Sequence, residues 1–114
     1  MNISIYPTAE MLEKSDMVIV DIRTQPEWEE TGVVPGCECV TFFDAAGSYD
    51  IEAFVKVMDR LGGREREIGL ICRTGARTFQ VANFLAQQGY NVKNLAGGVK
   101  KLIGEGYSLV PYTA

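Results

Sequence analysis

Cys72 is followed by Arg73, Thr74, Gly75, Ala76 and Arg77, so that a thiol and two arginines flank a glycine turn. The residues just before it, Gly69-Leu70-Ile71, form an apolar run of strand type. Those after it, Phe79, Val81, Ala82, Phe84, Leu85 and Ala86, recur with helical spacing. The spacing therefore places Cys72 where a strand stops and a helix begins. The first amides of a helix have no intrahelical partner and carry the positive end of the macrodipole. A loop at that junction is an anion cradle. A thiol held there loses its proton more readily, because the dipole and both arginines favour thiolate. The plainer alternative is a buried structural cysteine, which is common for this residue type. Two arginines around a glycine turn are more than that alternative requires. The thiol is expected to be solvent-accessible, at the bottom of a shallow pocket ringed by residues 73–77.

The elements that must position this loop are legible from patterning. Ile3 to Tyr6 reads as a short opening strand, and a short helix with Met11 and Leu12 as apolar contacts follows Pro7-Thr8. Met17-Val18-Ile19-Val20 is a continuous apolar run, as expected of a strand covered on both faces, and it ends at Asp21-Ile22-Arg23. Thr24 and Glu27 form a capping box, and Pro26 suits a first helical turn; Gly32 ends that helix. Cys37 to Thr41 is the next strand. Asp50 caps a helix with the stripe Ile51, Phe54, Val55, Met58 and Leu61, stopped by Gly62-Gly63. Glu67 to Ile71 delivers Cys72, and the following helix ends at Gly89. Val92 to Leu95 is another strand, Gly97-Gly98 a tight turn, and Val99 to Ile103 a last short helix. Alternating strands and helices imply an α/β fold, a central parallel sheet with helices on both faces. Sites in such sheets lie beyond the carboxyl ends of the strands, where both Cys72 and Asp21 fall.

Composition excludes several function classes. At 114 residues the chain reads as one domain, residues 1–114. The net charge of −4 without a basic cluster argues against nucleic acid as a partner. Histidine is absent, which removes the commonest metal ligand and the usual imidazole base. No metal or cofactor is called for. No apolar stretch approaches the ~20 residues of a membrane span, and Met1 to Tyr6 lacks the pattern of a secretory signal, so the chain reads as cytoplasmic. Three cysteines, an odd number, fit a reducing compartment better than a disulfide framework. Cys37 and Cys39 would share one face of a strand, at a separation unfavourable for a mutual disulfide. They are either small core-facing residues or, in the sharper reading, one of them resolves an oxidised or persulfidated Cys72.

The string from Cys72 to Arg77, Cys-x4-Arg, resembles the active-site loop of the rhodanese family of sulfurtransferases. Related cysteine phosphatases carry one residue more and a wider cradle; here the extra position is Thr78. The resemblance extends over nearly the whole chain. Asp21-Ile22-Arg23, Glu27-Trp28 and Gly32-Val33-Val34-Pro35-Gly36-Cys37 match the family's N-terminal pattern, with Val33 in place of the usual histidine and Cys37 of the usual alanine. Leu95-Ala96-Gly97-Gly98 matches a later motif, with Leu102 at the usual tryptophan. The resemblance implies a rhodanese-like sheet of about five strands. It also implies a thiosulfate sulfurtransferase-type enzyme that moves a sulfane sulfur through a Cys72 persulfide to cyanide or a thiol.

In that scheme Cys72 is catalytic and Arg73, Thr74, Gly75, Ala76 and Arg77 bind the anionic donor. The Arg73 side chain faces the loop mouth and Thr74 offers a hydroxyl; Arg77 either reaches the anion or pairs with a carboxylate. Asp21, Arg23 and Glu27 are supporting residues. Arg23 and Glu27, four apart around a helix start, can pair. Asp21 either orients the loop by accepting amide hydrogen bonds or caps its own strand. Trp28 reads as a core aromatic. The rivals are a persulfide-carrying or partner-docking module that exchanges sulfur with another protein, a catalytically silent interaction domain, and a phosphatase or arsenate reductase, which the loop length disfavours.

Overall fold

The structure, a computed structural model, describes residues 3–14, 16–62 and 64–113. Met1, Asn2 and Gly63, on which parts of the expectations above fall, lie outside the described residues. Five strands form one sheet: β1 (Ser4–Ile5), β2 (Val18–Asp21), β3 (Glu38–Cys39), β4 (Ile68–Ile71) and β5 (Val92–Leu95). Their order is β1-β5-β4-β2-β3, and all four neighbouring pairs run parallel. The helices are α1 (Ala9–Lys14), α2 (Gln25–Thr31), α3 (Ile51–Arg60), α4 (Ala76–Gln87) and α5 (Gly98–Gly104). The parallel α/β architecture and the five strands are those expected. β1 and β3 are shorter than the pattern suggested, and Cys37 falls in the turn before β3 rather than on it.

β4 lies at the centre and is buried along its whole length, which explains its unbroken apolar character. The core has two parts, one on each face of the sheet. One contains Val20, Ile22, Leu70 and Cys72 with Phe54 and Met58 of α3 and Val81, Ala82 and Leu85 of α4. The other contains Ile19, Ile71 and Leu95 with Val99 and Leu102 of α5, with Leu12 of α1 packed against it. Successive strand residues point to opposite faces, so Ile71 and Cys72 serve different cores. Leu102, at the family's tryptophan position, is 1 % exposed and fills the second core. Trp28 is buried as expected and its ring lies 5.2 Å from that of Tyr112. Val33 is buried, and its backbone pairs with Val110, which fastens the C-terminal segment.

The caps set the boundaries. Asp50 accepts from the Ala53 amide at 3.1 Å and starts α3. Glu27 Oε1 receives the Thr24 amide and hydroxyl at 3.2 and 3.1 Å and starts α2. α5 begins differently. Gly98 has φ +57°, and a Cβ there would lie 2.3 Å from the Cys72 carbonyl oxygen and 2.5 Å from that of Arg73. Only a glycine lets α5 approach the Cys72 loop this closely.

We expect Gly98→Ala to cost on the order of 2 kcal/mol from backbone strain and steric conflict together. Its melting temperature should fall by several degrees, and Cys72 reactivity should fall with it. Gly104→Ala, where a Cβ meets nothing within 4 Å, is the control and should melt close to wild type. Equal melting curves for the two variants would contradict the close approach.

Candidate active site

The chain leaves β4 at Ile71 and enters α4 at Ala76, so residues 72–75 form the turn at the carboxyl end of the central strand. Gly75 is the N-cap of α4 at φ +96°, a left-handed conformation that favours glycine. The turn folds back on the Cys72 sulfur. The Gly75 amide donates to Sγ at 3.1 Å, and the Thr78 hydroxyl lies 3.5 Å from it. On the outer side, the carbonyls of Cys72 and Arg73 accept from the amides of Val99 and Lys100 at 2.9 and 3.0 Å.

Cys72 is 1 % exposed, so the expectation of a solvent-accessible thiol is corrected. The side chain points into the core on the α3/α4 face, and the loop closes over it. Burial by itself raises a thiol's pKa. Here the Thr78 hydroxyl and the backbone amides of Thr78, Gly75 and Thr74 outweigh burial, and the Cys72 pKa is lowered. The thiolate expected from the sequence is thus favoured, chiefly by hydrogen bonds.

The remaining sequence candidates separate into distinct groups. Arg73, Thr74 and Ala76 are exposed. Arg73 lines a cavity of about 150 Å³ together with Glu27, Glu30, Lys100 and Ile103. Arg77 is the second residue of α4, not the first, and pairs with Glu27: Nη2–Oε2 is 2.9 Å and Nη1–Oε1 3.2 Å. Of the two roles open to Arg77, the structure shows the carboxylate pairing. Donation from the Arg77 guanidinium to the Glu27 carboxylate raises the Arg77 pKa, although burial opposes it; burial would raise that of Glu27, but Arg77 and Thr24 lower it.

Arg23 does not pair with Glu27, so that expectation is corrected. It turns back to Asp21, with Nη2–Oδ2 2.8 Å and Nε–Oδ1 3.0 Å, and both side chains are buried. Asp21 also accepts the Arg23 amide at 3.1 Å. Asp21 therefore caps its own strand; its hydrogen bonds go to Arg23 and not to the Cys72 loop. Arg23 continues to the Thr31 hydroxyl at 2.9 Å and the Gly32 carbonyl at 3.1 Å, which ties the end of β2 to the end of α2.

Cys37 and Cys39 have their sulfurs 3.9 Å apart as free thiols. Cys37 packs with the α5-side core, on the sheet face opposite that of Cys72. Burial raises the pKa of each; for Cys37 the neighbouring Cys39 and then Asp21 add to it, and for Cys39 Asp21 does.

Sequence reasoning missed Thr78 and Asn94, both buried. Thr78 donates toward the Gly75 carbonyl at 3.2 Å and makes a short contact with Asn94 Oδ1. Asn94 Nδ2 donates to the Ser4 hydroxyl at 3.1 Å. The available signal was Thr78 in the first turn of a helix that opens on a cysteine, where a hydroxyl can reach back. Asn94 carried a signal too, as a polar residue on a short strand with the apolar Val92 and Ala96 two positions to either side. Among the described residues, no group of three or more His, Cys, Asp or Glu is placed to hold a metal ion. No helix among them is long and apolar enough to cross a membrane.

A parallel five-stranded sheet with a cysteine loop at the carboxyl end of its central strand is the architecture of the rhodanese-like domain. Residues 6–105 match the family model of that description, and the chain belongs to this family. It is 31 % identical over 98 residues to the thiosulfate sulfurtransferase GlpE of Pseudoalteromonas translucida, covering 85 % of this chain and 83 % of that protein. It is 28 % identical over 109 residues to the putative sulfurtransferase YtwF of Bacillus subtilis, covering 92 % and 95 %. A rhodanese-related protein from Thermoplasma volcanium has the same fold, with a TM-score of 0.70 at 21 % identity over 97 % of this chain and 98 % of that one.

The hydrogen bonds at Sγ give a pH prediction. Alkylation rises with pH as thiolate forms, so a lowered pKa displaces the curve to lower pH. Peptide-resolved carbamidomethylation of Cys72 should have its midpoint below the ~8.5 of free cysteine. Thr78→Val removes a donor to the charged sulfur and should move it up by about one pH unit. A midpoint unchanged in Thr78→Val would show that the amides alone set the thiolate.

Proposed function

We propose that this chain, taken as a single domain over residues 1–114, is a sulfurtransferase that carries a sulfane sulfur on Cys72. The observation that carries the reading is the buried Cys72 sulfur held at the end of β4 by amide and hydroxyl donors that lower its pKa. In the first step the thiolate attacks the outer sulfur of thiosulfate. The new S–S bond forms, the S–S bond of the donor breaks with its electron pair, and sulfite leaves. Cys72 is then a persulfide anion. In the second step cyanide or a thiolate attacks the outer sulfur; Cys72 leaves as thiolate and the acceptor departs with the sulfur. The negative charge is conserved at each step, so no general base is needed, which suits a chain without histidine. The loop amides are already oriented and stabilise the anion without reorganisation.

The family membership and the sulfurtransferase names of its relatives support this assignment. Arg73, exposed beside Lys100 at the cavity, recruits the anionic donor. Arg77, held by Glu27, anchors the start of α4 and supports the loop. Gly75 shapes the cradle, and Thr74 and Ala76 form its outer edge. A cytoplasmic setting with reduced thiols suits this chemistry.

A second reading, a carrier that passes its persulfide to another protein, is favoured by one feature. Phe79, Phe84 and Tyr49 are exposed large apolar side chains. Phe79 and Gln80 border the cradle residues Thr74 to Ala76 on one side. On the other, Gln80, Phe84 and Tyr49 line an apolar cavity of about 370 Å³.

Intact mass after thiosulfate treatment should show a gain of one sulfur that is lost on adding cyanide. Cys72→Ser should show no gain and should melt close to wild type. Thiocyanate turnover by Cys72→Ser at a rate near wild type would exclude Cys72 as the carrier. Rapid loading with very slow discharge to small acceptors would favour the protein-acceptor reading.

The arginines should separate kinetically. Arg73→Ala should raise KM for thiosulfate more than it lowers kcat, the pattern of lost ground-state binding. Arg77→Ala should lower the melting temperature by a few degrees, since a half-exposed ion pair contributes at most ~1 kcal/mol. Steady-state kinetics at several salt concentrations, with melts alongside, check both. An unchanged KM in Arg73→Ala would show that the amides alone hold the donor.

A further inference from the structure

The Thr78 hydroxyl carries one proton and has three acceptors around it. They are the Cys72 sulfur at 3.5 Å, the Gly75 carbonyl at 3.2 Å and, closest of all, Asn94 Oδ1. It cannot serve them all at once. Asn94 is fixed for this role. Its Nδ2 donates to the hydroxyl of Ser4, the residue directly opposite on β1, so Oδ1 is left facing Thr78. Asn94 is 3 % exposed and Thr78 fully buried, so an acceptor deprived of its donor here has no bulk water to turn to.

We propose that Asn94 is a positioning residue for the sulfur chemistry, acting only through Thr78 by competing with the Cys72 sulfur for the Thr78 hydroxyl proton. With Cys72 as a thiol, S–H donates to Thr78 Oγ and Thr78 donates to Asn94, so every group is satisfied. With Cys72 as a thiolate, the Thr78 O–H turns to the sulfur and Asn94 Oδ1 loses its donor. The Cys72 S–H proton leaves to solvent; Thr78 keeps its own proton, and its hydroxyl only rotates. In the persulfide the charge moves to the outer sulfur, and the hydroxyl returns to Asn94. Asn94 thus disfavours the free thiolate relative to the thiol and the persulfide. It restrains a sulfur that the loop amides would otherwise over-stabilise as an anion.

This inference rests on Cys72 being the reacting sulfur, and the experiment separates the two claims. Residue-resolved carbamidomethylation against pH is measured for wild type, Asn94→Ala, Asn94→Leu, Thr78→Val and the two double variants. The charged and titratable neighbours remain in every variant: Arg73 and Arg77 of the loop and α4, Glu27 of α2, Asp21 of β2, Lys100 of α5, and Tyr6, which lines the same cleft as Asn94. Removing the competing acceptor should move the Cys72 midpoint down by on the order of half to one pH unit. In the Thr78→Val background the same substitutions should move it by nothing.

A purely structural role would lower the melting temperature without this directed shift, so melts are taken for each variant. Asn94→Leu keeps the γ-branched shape and heavy-atom count of asparagine and covers the case in which Asn94→Ala fails to fold. An unchanged or raised midpoint in the Asn94 variants, or an equal shift in the Thr78→Val background, would overturn the proposal. If instead thiosulfate leaves no sulfur on Cys72 in the wild type, the sulfurtransferase reading fails first, whatever the midpoints do.

Discussion

The site depends on which way its peptide units face. The carbonyls of Cys72 and Arg73 are taken by the first amides of α5, from Val99 and Lys100. A trans peptide is planar, with its N–H opposed to its C=O. Fixing the Arg73 carbonyl outward therefore aims the Thr74 N–H inward, toward the sulfur. The Gly75 N–H follows at 3.1 Å. One helix start supplies donors to the loop's outer side, and the start of α4 supplies donors to its inner side. Each helix satisfies orphan amides that would otherwise need water. The glycine at 98 is what permits the contact, since a Cβ there would overlap both carbonyls.

That arrangement resolves an apparent conflict between burial and reactivity. Burial alone favours the neutral thiol by excluding water from the charge. The loop replaces that water with three backbone amides and one hydroxyl, all held by the fold. A hydrogen bond to a charged group contributes roughly 1.5–3 kcal/mol, against about 1 for a neutral pair. Several together exceed the burial penalty, so the sulfur is both covered and more acidic than in solution. The arginines act farther out: Arg77 is engaged by Glu27, and Arg73 reaches into solvent.

Much of this was legible in the sequence, and the exceptions have physical reasons. The turn after β4 was readable because an apolar run, a glycine and a helical period meet there. The caps Thr24 and Asp50 were readable because capping is local. The partner of Arg23 was not. Four-residue spacing made Glu27 available, but Arg23 precedes the helix and points back under β2. There Asp21 can satisfy it in a buried setting, where an unpaired charge would be costly. Glu27 was then free for Arg77, fifty residues away in sequence. Thr78 and Asn94 were missed for a related reason. Their meeting depends on the register of β5 against β4 and β1, in which Asn94 stands opposite Leu70 and Ser4. Each carries a local signal of its own, but neither signal names the other residue as its partner.

The three cysteines show how far surroundings, not residue type, decide chemistry. Cys37 and Cys39 sit near the edge strand β3, on the far face of the sheet from Cys72, with Asp21 close by. Their partial burial and the neighbouring Asp21 carboxylate oppose their ionisation. Ionisation of both is therefore disfavoured, while that of Cys72 is favoured. The thiolate is the nucleophile in sulfur chemistry, so the fold selects one sulfur out of three without excluding solvent from the other two. Opposite faces also separate the thiols in space. For Cys37 to resolve a persulfide on Cys72, sulfur would have to pass from one face of the sheet to the other. Under the proposed sulfur transfer an acceptor would approach Cys72 from the loop side, where Arg73 and Thr74 are exposed.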